Sequence, residues 1–406
     1  MTCVLFQLMR STCLLTLLLL VILTNKTGCS TNMDSAALSS AIAKFSLQFC
    51  NELDKSKSVV SSPMSAEILL ALLTLGSSDP AHGELLNAIG FKDDDSIRSS
   101  FSAVTSKLKS VKGVTLQVAN KVYLQNGFDL DPKLKHDAIE IFDSDLEPLD
   151  FSNSGAAAKL INDWVESKTN KRIKDLISED SVNSLTRLVL VNALYFKGSW
   201  KYPFKPHNTI DKPFHINKDT TVNVPMMYLE ENFKYGESQK LNAQLLEMPY
   251  EGGEASMVII LPKEVEGIND LLKSLATDVD LVQELNQMHP IKVQVTIPKF
   301  KIETEIDLKT LLPKLGISAI FDESNSGLTK IFNSPEPLYV SKAIQKAFIE
   351  VNEEGAEAAA ATAMNIAMCC AMVDFDPVKV FLADRPFLAV IQVNGAPYFL
   401  TTHRGN

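Results

Sequence analysis

Apolar residues recur every three to four positions in four stretches of the chain, a spacing typical of amphipathic helices. Asp131 precedes Pro132 at the start of one of them, and this pair is favoured at a helix cap and first helical position. The predicted helices are Ala36–Leu53, Pro63–Leu75, Asp131–Ile141 and Ala156–Thr169.

Short apolar or alternating runs bounded by polar residues predict strands, most of them in the second half of the chain. No internal repeat and no long Gly/Ser or Pro linker divides the sequence. Early helices followed by many strands predict a single mixed α+β domain. The predicted strands are Val114–Leu124, Leu188–Phe196, Leu245–Met248, Ala255–Leu261, Ile291–Ile297 and Phe387–Val393.

The N-terminus has the pattern of a secretory signal. Arg10 precedes the apolar run Cys13–Thr24, and small residues follow at Gly28–Ser30. The run is short for a membrane span. We therefore interpret residues 1–29 as a signal peptide and expect a secreted, extracellular protein, with an uncleaved cell-surface anchor as the alternative.

The composition limits the classes of function. The formal charge of −10 argues against a nucleic-acid partner, and no strong binding site for polyanions is evident in the sequence. No hydrolase, phosphate-binding or metal motif occurs, and the six histidines are scattered, so we expect no enzyme activity, cofactor or metal. Two short basic clusters are interpreted as solvated faces: Lys107, Lys109 and Lys112, and Lys171, Arg172 and Lys174.

Six cysteines do not form a disulfide framework. Three lie in or beside the signal, which leaves Cys50 and the adjacent pair Cys369 and Cys370. A large core must therefore stabilise the fold. We expect a monomer, with a disulfide-linked dimer through Cys369 or Cys370 as the alternative, because adjacent cysteines close only a strained ring.

Several motifs occur together in one order: SPMS from Ser62, INDWVESKTN from Ile161, DSVNSLTRLVLVNALYFKG from Asp180 and VNEEGAEAAAATA from Val351. With them the chain resembles the serpins over residues 35–400. The resemblance implies the α+β serpin fold, with three β-sheets, eight or nine helices and an exposed reactive-centre loop. Residues 30–406 would form one serpin domain, with the loop at about 353–378.

The resemblance also assigns a hinge at the start of the loop. After cleavage, the loop of an inhibitory serpin enters the main sheet as a new strand. Such a strand needs every backbone N–H, and no proline occurs between Pro337 and Pro377. The inward-facing positions from Ala356 to Met368 carry no charge. The implied hinge residues are Glu353, Gly355, Ala356, Glu357, Ala358, Ala359, Ala360, Ala361 and Thr362.

Other positions are implied beneath the sheet opening. Ser62, Ser65 and Asn192 would form the shutter, and Trp200 would lie near the top of the sheet where insertion begins. Gln345 stands where many serpins have histidine, and its amide can form similar hydrogen bonds but cannot titrate. Asn192 interrupts the apolar strand run 188–196, so a polar group there must be hydrogen-bonded.

The function implied is that of a suicide-substrate inhibitor, which traps a serine protease as a covalent complex. Family spacing from Gly355 puts the reactive centre at Cys369 and Cys370, with Met372 as a later alternative. No lysine or arginine occurs from Gly355 to Val378, which favours elastase-like or chymotrypsin-like targets over trypsin-like ones. The alternatives are a cross-class cysteine protease inhibitor and a non-inhibitory serpin acting as a carrier or chaperone.

Overall fold

The computed structural model describes residues 35–127, 130–332, 338–355 and 378–405. The predicted signal peptide lies outside these residues. Among them no helix is long and apolar enough to cross a membrane.

Nine α-helices occur in the described part of the chain, and the four predicted from periodicity are α1, α2, α5 and α6. Asp131 caps α5 as expected, since its side chain accepts from the backbone N–H of Leu134. The helices are α1 (Ser35–Asn51), α2 (Pro63–Leu75), α3 (Ala81–Ile89), α4 (Asp94–Ser110), α5 (Pro132–Glu140), α6 (Ser154–Lys168), α7 (Ile268–Thr277), α8 (Leu281–Leu285) and α9 (Leu308–Leu311). Short 3₁₀ turns lie at Glu179–Ser181, Pro206–Asn208, Leu312–Leu315 and Ala319–Phe321.

The strands form two hydrogen-bonded sheets within the described residues. All six strands predicted from sequence are present, as β2, β4, β7, β8, β9 and β13. The strands are β1 (Val59–Ser61), β2 (Val114–Gln125), β3 (Asp145–Leu149), β4 (Leu188–Gly198), β5 (Ile210–His215), β6 (Thr221–Ser238), β7 (Ala243–Pro249), β8 (Ala255–Pro262), β9 (His289–Pro298), β10 (Phe300–Asp307), β11 (Val340–Val351), β12 (Lys379–Leu382), β13 (Phe387–Val393) and β14 (Ala396–His403).

The five-stranded sheet has the order β10-β11-β4-β2-β3. Its central strands β11 and β4 are parallel neighbours, and Gln345 is paired with Asn192 in their register. We call the boundary between these two strands the seam. A strand entering the sheet here would add its own ladder to both neighbours.

The second sheet has nine strands, in the order β1-β14-β13-β8-β7-β6-β9-β12 with β5 paired to β6. The 18-residue strand β6 joins its two parts, because it pairs with β5 and β9 along most of its length and with β7 near its end. The second and third sheets expected from the serpin resemblance are thus continuous through β6.

Helix α2 forms the centre of the core. Every residue from Pro63 to Leu75 is buried, and the helix packs against β2 and β4 of one sheet and β14 of the other. A helix that is apolar over most of its surface is buried in this way, and its polar residues Ser65, Glu67 and Thr74 are buried with it. Its N-terminus lies beneath the seam, which brings Ser62 and Ser65 towards the middle of the five-stranded sheet.

Candidate functional site

Five buried polar side chains meet beneath the seam, and we call them the seam cluster: Ser62, Ser65, Asn120, Asn192 and Gln345. The strand register brings three of them together, because Asn192 of β4 is paired with Asn120 of β2 on one side and with Gln345 of β11 on the other. The serines come from the start of α2, where Ser62 is the N-cap and its side chain accepts from the N–H of Ser65.

Gln345 joins the helix to both strands of the seam. Its Nε2 donates to the Ser62 carbonyl oxygen at 2.8 Å and to Asn192 Oδ1 at 2.5 Å. Its Oε1 accepts from the Ser62 N–H at 2.9 Å. Gln345 and Asn192 are both fully buried, so these bonds replace all contact with water.

The other half of the cluster is organised by Asn192 and Asn120. Asn192 Nδ2 donates to Ser65 Oγ at 2.6 Å and also to Asn120 Oδ1. Ser65 Oγ in turn donates to Asn120 Oδ1 at 2.9 Å. The expected requirement for a partner to Asn192 is therefore met. The sequence analysis missed Asn120, although the same signal, an asparagine within a strand run, is present there.

A second group of contacts fixes the residues just before the candidate loop, and we call residues 352–355 the hinge turn. Asn352 and Gly355 exchange backbone hydrogen bonds of 3.0 and 3.2 Å. Trp200 donates its backbone N–H to the Glu354 carbonyl and its Nε1 to the Asn352 carbonyl, each at 3.0 Å. The turn is thereby attached to the segment that follows β4.

Gly355 is required at the end of the hinge turn. Its φ of +112° lies in a region that other residues rarely adopt. A Cβ at this position would lie 2.2 Å from the Gly198 carbonyl oxygen. The bridge between Gly355 and Ser199 holds this backbone directly against the end of β4.

Aromatic and ionic contacts hold the turn on both sides. The Trp200 ring stacks on Tyr250 with centroids 4.5 Å apart. The Glu353 carboxylate accepts from Lys299 Nζ and from Thr209 Oγ1, each at 2.9 Å. Partial burial raises the pKa of Glu353, but these hydrogen bonds outweigh it, and the pKa lies below its usual value.

The remaining predicted site residues lie outside the described residues. They are Ala356, Glu357, Ala358, Ala359, Ala360, Ala361, Thr362, Cys369, Cys370 and Met372. Their assigned roles in the hinge and reactive centre therefore stay predictions. Residues 35–127, 130–332, 338–355 and 378–405 contain no cluster of metal-ligating side chains.

Comparison with known proteins identifies the family. The family model of serpins, described as serine protease inhibitors, matches residues 40–403. The chain belongs to the serpin family. Two curated relatives from Bombyx mori, antitrypsin and antichymotrypsin-2, are each 46% identical to this serpin over 84% of its length and over 87% and 90% of their own.

Solved structures agree with this assignment. The crystal structure of Serpin48 from the insect Tenebrio molitor superposes with a TM-score of 0.82 at 33% identity, covering 92% of this serpin and all of that chain. The predicted fold is confirmed. The seam cluster thus lies at the five-stranded sheet of a serpin fold, and the hinge turn follows the end of its strand β11. The shutter and hinge roles that the resemblance implied for these residues stay predictions.

Proposed function

We propose that this serpin inhibits a serine protease as a suicide substrate. The protease nucleophile attacks a carbonyl of the loop and forms an acyl-enzyme. The loop then enters the seam before the acyl bond is hydrolysed, and the protease stays covalently attached. The observation that carries the proposal is the hinge turn, which connects β11 to the loop at the end of the seam.

The geometry of the seam supports this mechanism. β4 and β11 are parallel, and a strand inserted antiparallel to both would satisfy their backbone groups on each side. The loop follows β11 directly, so it reverses direction at Gly355 to enter the seam. The left-handed backbone of Gly355 provides that freedom without steric cost.

The proposed target class follows from the loop sequence. The curated relatives named antitrypsin and antichymotrypsin-2 have the same percentage sequence identity to this chain. Overall sequence similarity therefore does not discriminate between a trypsin-like and a chymotrypsin-like target. The segment from Gly355 to Val378 has no basic residue for the buried carboxylate of a trypsin-like pocket. We therefore propose an elastase-like or chymotrypsin-like target, cleaving at Cys369–Cys370 or near Met372.

The N-terminal sequence supports secretion. Residues 1–29 combine a charged start, an apolar run and small residues before a cleavage region. An extracellular serpin would meet secreted proteases. In the same oxidising environment its two loop cysteines would be open to disulfide exchange.

The test is incubation of the mature protein with trypsin, chymotrypsin and pancreatic elastase, followed by denaturing electrophoresis. We expect a heavier band with chymotrypsin or elastase that survives boiling in detergent, and weak action on trypsin. Mass spectrometry of the released C-terminal peptide locates the bond. Complete cleavage without a heavier band by every protease would refute inhibition, and fast trapping of trypsin would refute only the target class.

The assigned register of the hinge is tested separately by Ala356→Arg. This position would be the first inward-facing residue of the inserting strand, and an arginine there must be desolvated. We expect the variant to be cleaved as a substrate with little complex formed. Glu357→Arg, at the neighbouring outward-facing position, is the matched control and should still trap the protease.

A further inference from the structure

The seam has a far end, opposite the hinge turn, where Val340 of β11 is paired with Leu188 of β4. Beyond this last pair, Ser341 Oγ accepts from the Arg187 backbone N–H at 2.9 Å, so the bond joins the two sides of the seam. An inserted strand that reached this level would separate the two residues and break the bond. The Arg187 N–H would then need a new acceptor.

Two cations lie at the far end, one on each side of the seam. Arg187 directly precedes β4, and its Nη1 donates only to the carbonyls of Ser184 and Thr186, at 3.0 and 3.4 Å. Lys309 of α9 lies on the β11 side, where its Nζ donates to the Ser341 carbonyl at 3.3 Å. Within residues 35–127, 130–332, 338–355 and 378–405, neither cation has a carboxylate partner.

Both cations line the same cavity, which has a volume of about 670 Å³. Among the described residues Glu323 also lines it, without an ion pair to either cation. Two further carboxylates, Glu305 and Asp307, line an adjoining cavity of about 400 Å³ that Arg187 does not reach. The cavity between Arg187 and Lys309 therefore has more positive than negative charge, and it suits a carboxylate ligand.

Strand pairing predicts how far the cleaved loop would extend along the seam. Asn352 and Gly355 form an antiparallel bridge. Continuing this pairing along β11 sets Ala356 opposite Val351. At one residue per step, Cys369 then lies two positions beyond the start of β11. A strand that ends at Cys369 therefore reaches the far end of the seam.

Cleavage creates an anion at that position. Hydrolysis of the Cys369–Cys370 bond consumes one water and leaves an α-carboxylate on Cys369 and an amine on Cys370. In the trapped complex the same carbonyl is an ester with the protease and carries no charge. Cleavage near Met372 would put the carboxylate about 10 Å farther along the strand.

We propose that Arg187 and Lys309 form a carboxylate-binding site for the new C-terminus of the cleaved loop, the α-carboxylate of Cys369. This inference rests on the proposed insertion mechanism and on cleavage at Cys369–Cys370. The Arg187 N–H and guanidinium donate from one side and the Lys309 ammonium from the other, as charge-assisted hydrogen bonds. The site stabilises the inhibitor that is cleaved without trapping. It leaves the ratio of trapped to cleaved product unchanged, because that ratio is decided before the carboxylate has bound.

The test uses N-acetylated peptides as stand-ins for the inserted strand. A peptide of residues 356–369 is made with a C-terminal carboxylate and with a C-terminal amide, and a longer pair covers residues 356–372. Each is incubated with intact protein under reducing conditions, and the unfolding temperature is measured in a fixed concentration of urea. Urea is uncharged, so it does not screen an ion pair as a salt does.

We expect the 356–369 acid to raise the unfolding temperature by about 2–4 °C more than its amide, and the longer pair to show no such difference. Arg187→Met and Lys309→Met should each remove most of the difference. Glu323→Gln should widen it, because a competing carboxylate is lost. Lys314→Met is the matched control, since this exposed lysine lies only five positions after Lys309, and it should keep the difference.

Three results would count against the proposal in different ways. Equal stabilisation by the 356–369 acid and amide would overturn the site and leave the insertion mechanism standing. A difference that survives both Arg187→Met and Lys309→Met would assign the carboxylate to other residues and overturn it too. If no peptide stabilises the protein, the seam does not admit this strand, and the proposed function falls with this inference.

Discussion

Replacing Gln345 with leucine tests whether the seam cluster holds the closed sheet to α2. The change removes three hydrogen bonds, two to the backbone of Ser62 and one to Asn192. A buried polar group left without a partner costs about 1–3 kcal/mol. Because the three bonds share one side chain, the free-energy costs of losing them do not add in full. Burial of the apolar leucine side chain offsets part of the remaining cost.

We therefore expect Gln345→Leu to lower the free energy of unfolding of the intact protein by about 3 kcal/mol. Urea denaturation followed by tryptophan fluorescence measures this. Gln392→Leu is the control, since that glutamine is only partly buried and bonds to Glu247 and Ser256 far from the seam. A loss below about 1 kcal/mol for Gln345→Leu, or an equal loss in the control, would refute the reasoning.

Three further changes probe other parts of the structure. Burial among Phe214, Phe300 and Phe387 lowers the pKa of His403 to about 3, so the unfolded chain binds a proton below its ordinary pKa of 6.5 and the folded chain does not. His403 therefore costs the folded protein little above pH 6.5 and lowers its free energy of unfolding by about 2 kcal/mol at pH 5. His403→Leu should flatten this part of a urea-denaturation pH profile. Gly355→Ala should cost at least about 1–3 kcal/mol by the same assay, because of its positive φ and the Gly198 carbonyl; Gly253→Ala, also at a positive φ (+76°) but with no atom within 4 Å, is the control for the clash and should cost less. Trp200→Phe loses the bond to the Asn352 carbonyl and should cost about 1–2 kcal/mol; an unchanged midpoint would show that the bond does not hold the hinge turn.

Local patterns predicted the elements whose signals are strong over a short range. α2 matches its predicted bounds because its apolar run begins at a serine cap with Pro63 and ends at Gly76. β13 matches for a similar reason, because its apolar run is interrupted only by Gln392 and ends at the turn Asn394–Gly395. The missed α4 carries a capping box from Asp93 to Ser96 and apolar residues at helical spacing from Ile97 to Leu108, so its signal was present in the sequence although most of its residues are polar.

The long strand β6 could not be predicted from its own pattern. Polar and apolar residues alternate irregularly along it, since it passes from one part of the nine-stranded sheet to the other and changes its neighbours. Its continuity, which joins two expected sheets, depends on contacts with β7 and β9. Such contacts are set by tertiary packing and leave little local signal.

The candidate site was predicted only in part, because the contacts between its residues also depend on tertiary packing. The sequence shows that Asn192 needs a partner, but the partner Gln345 is 153 residues away and is identified by strand register. The family resemblance brought Ser62, Ser65 and Gln345 together before the structure did. Neither line of reasoning found Asn120, because its contacts with Ser65 and Asn192 depend on which face of β2 it occupies.

The central claim is that the cleaved loop becomes a strand of the five-stranded sheet between β4 and β11. Differential scanning calorimetry of intact and loop-cleaved protein tests it most directly. We predict a sharply higher unfolding temperature for the cleaved form, because the inserted strand adds two hydrogen-bond ladders and buries apolar side chains. Equal unfolding temperatures, with cleavage verified by mass spectrometry, would contradict the account.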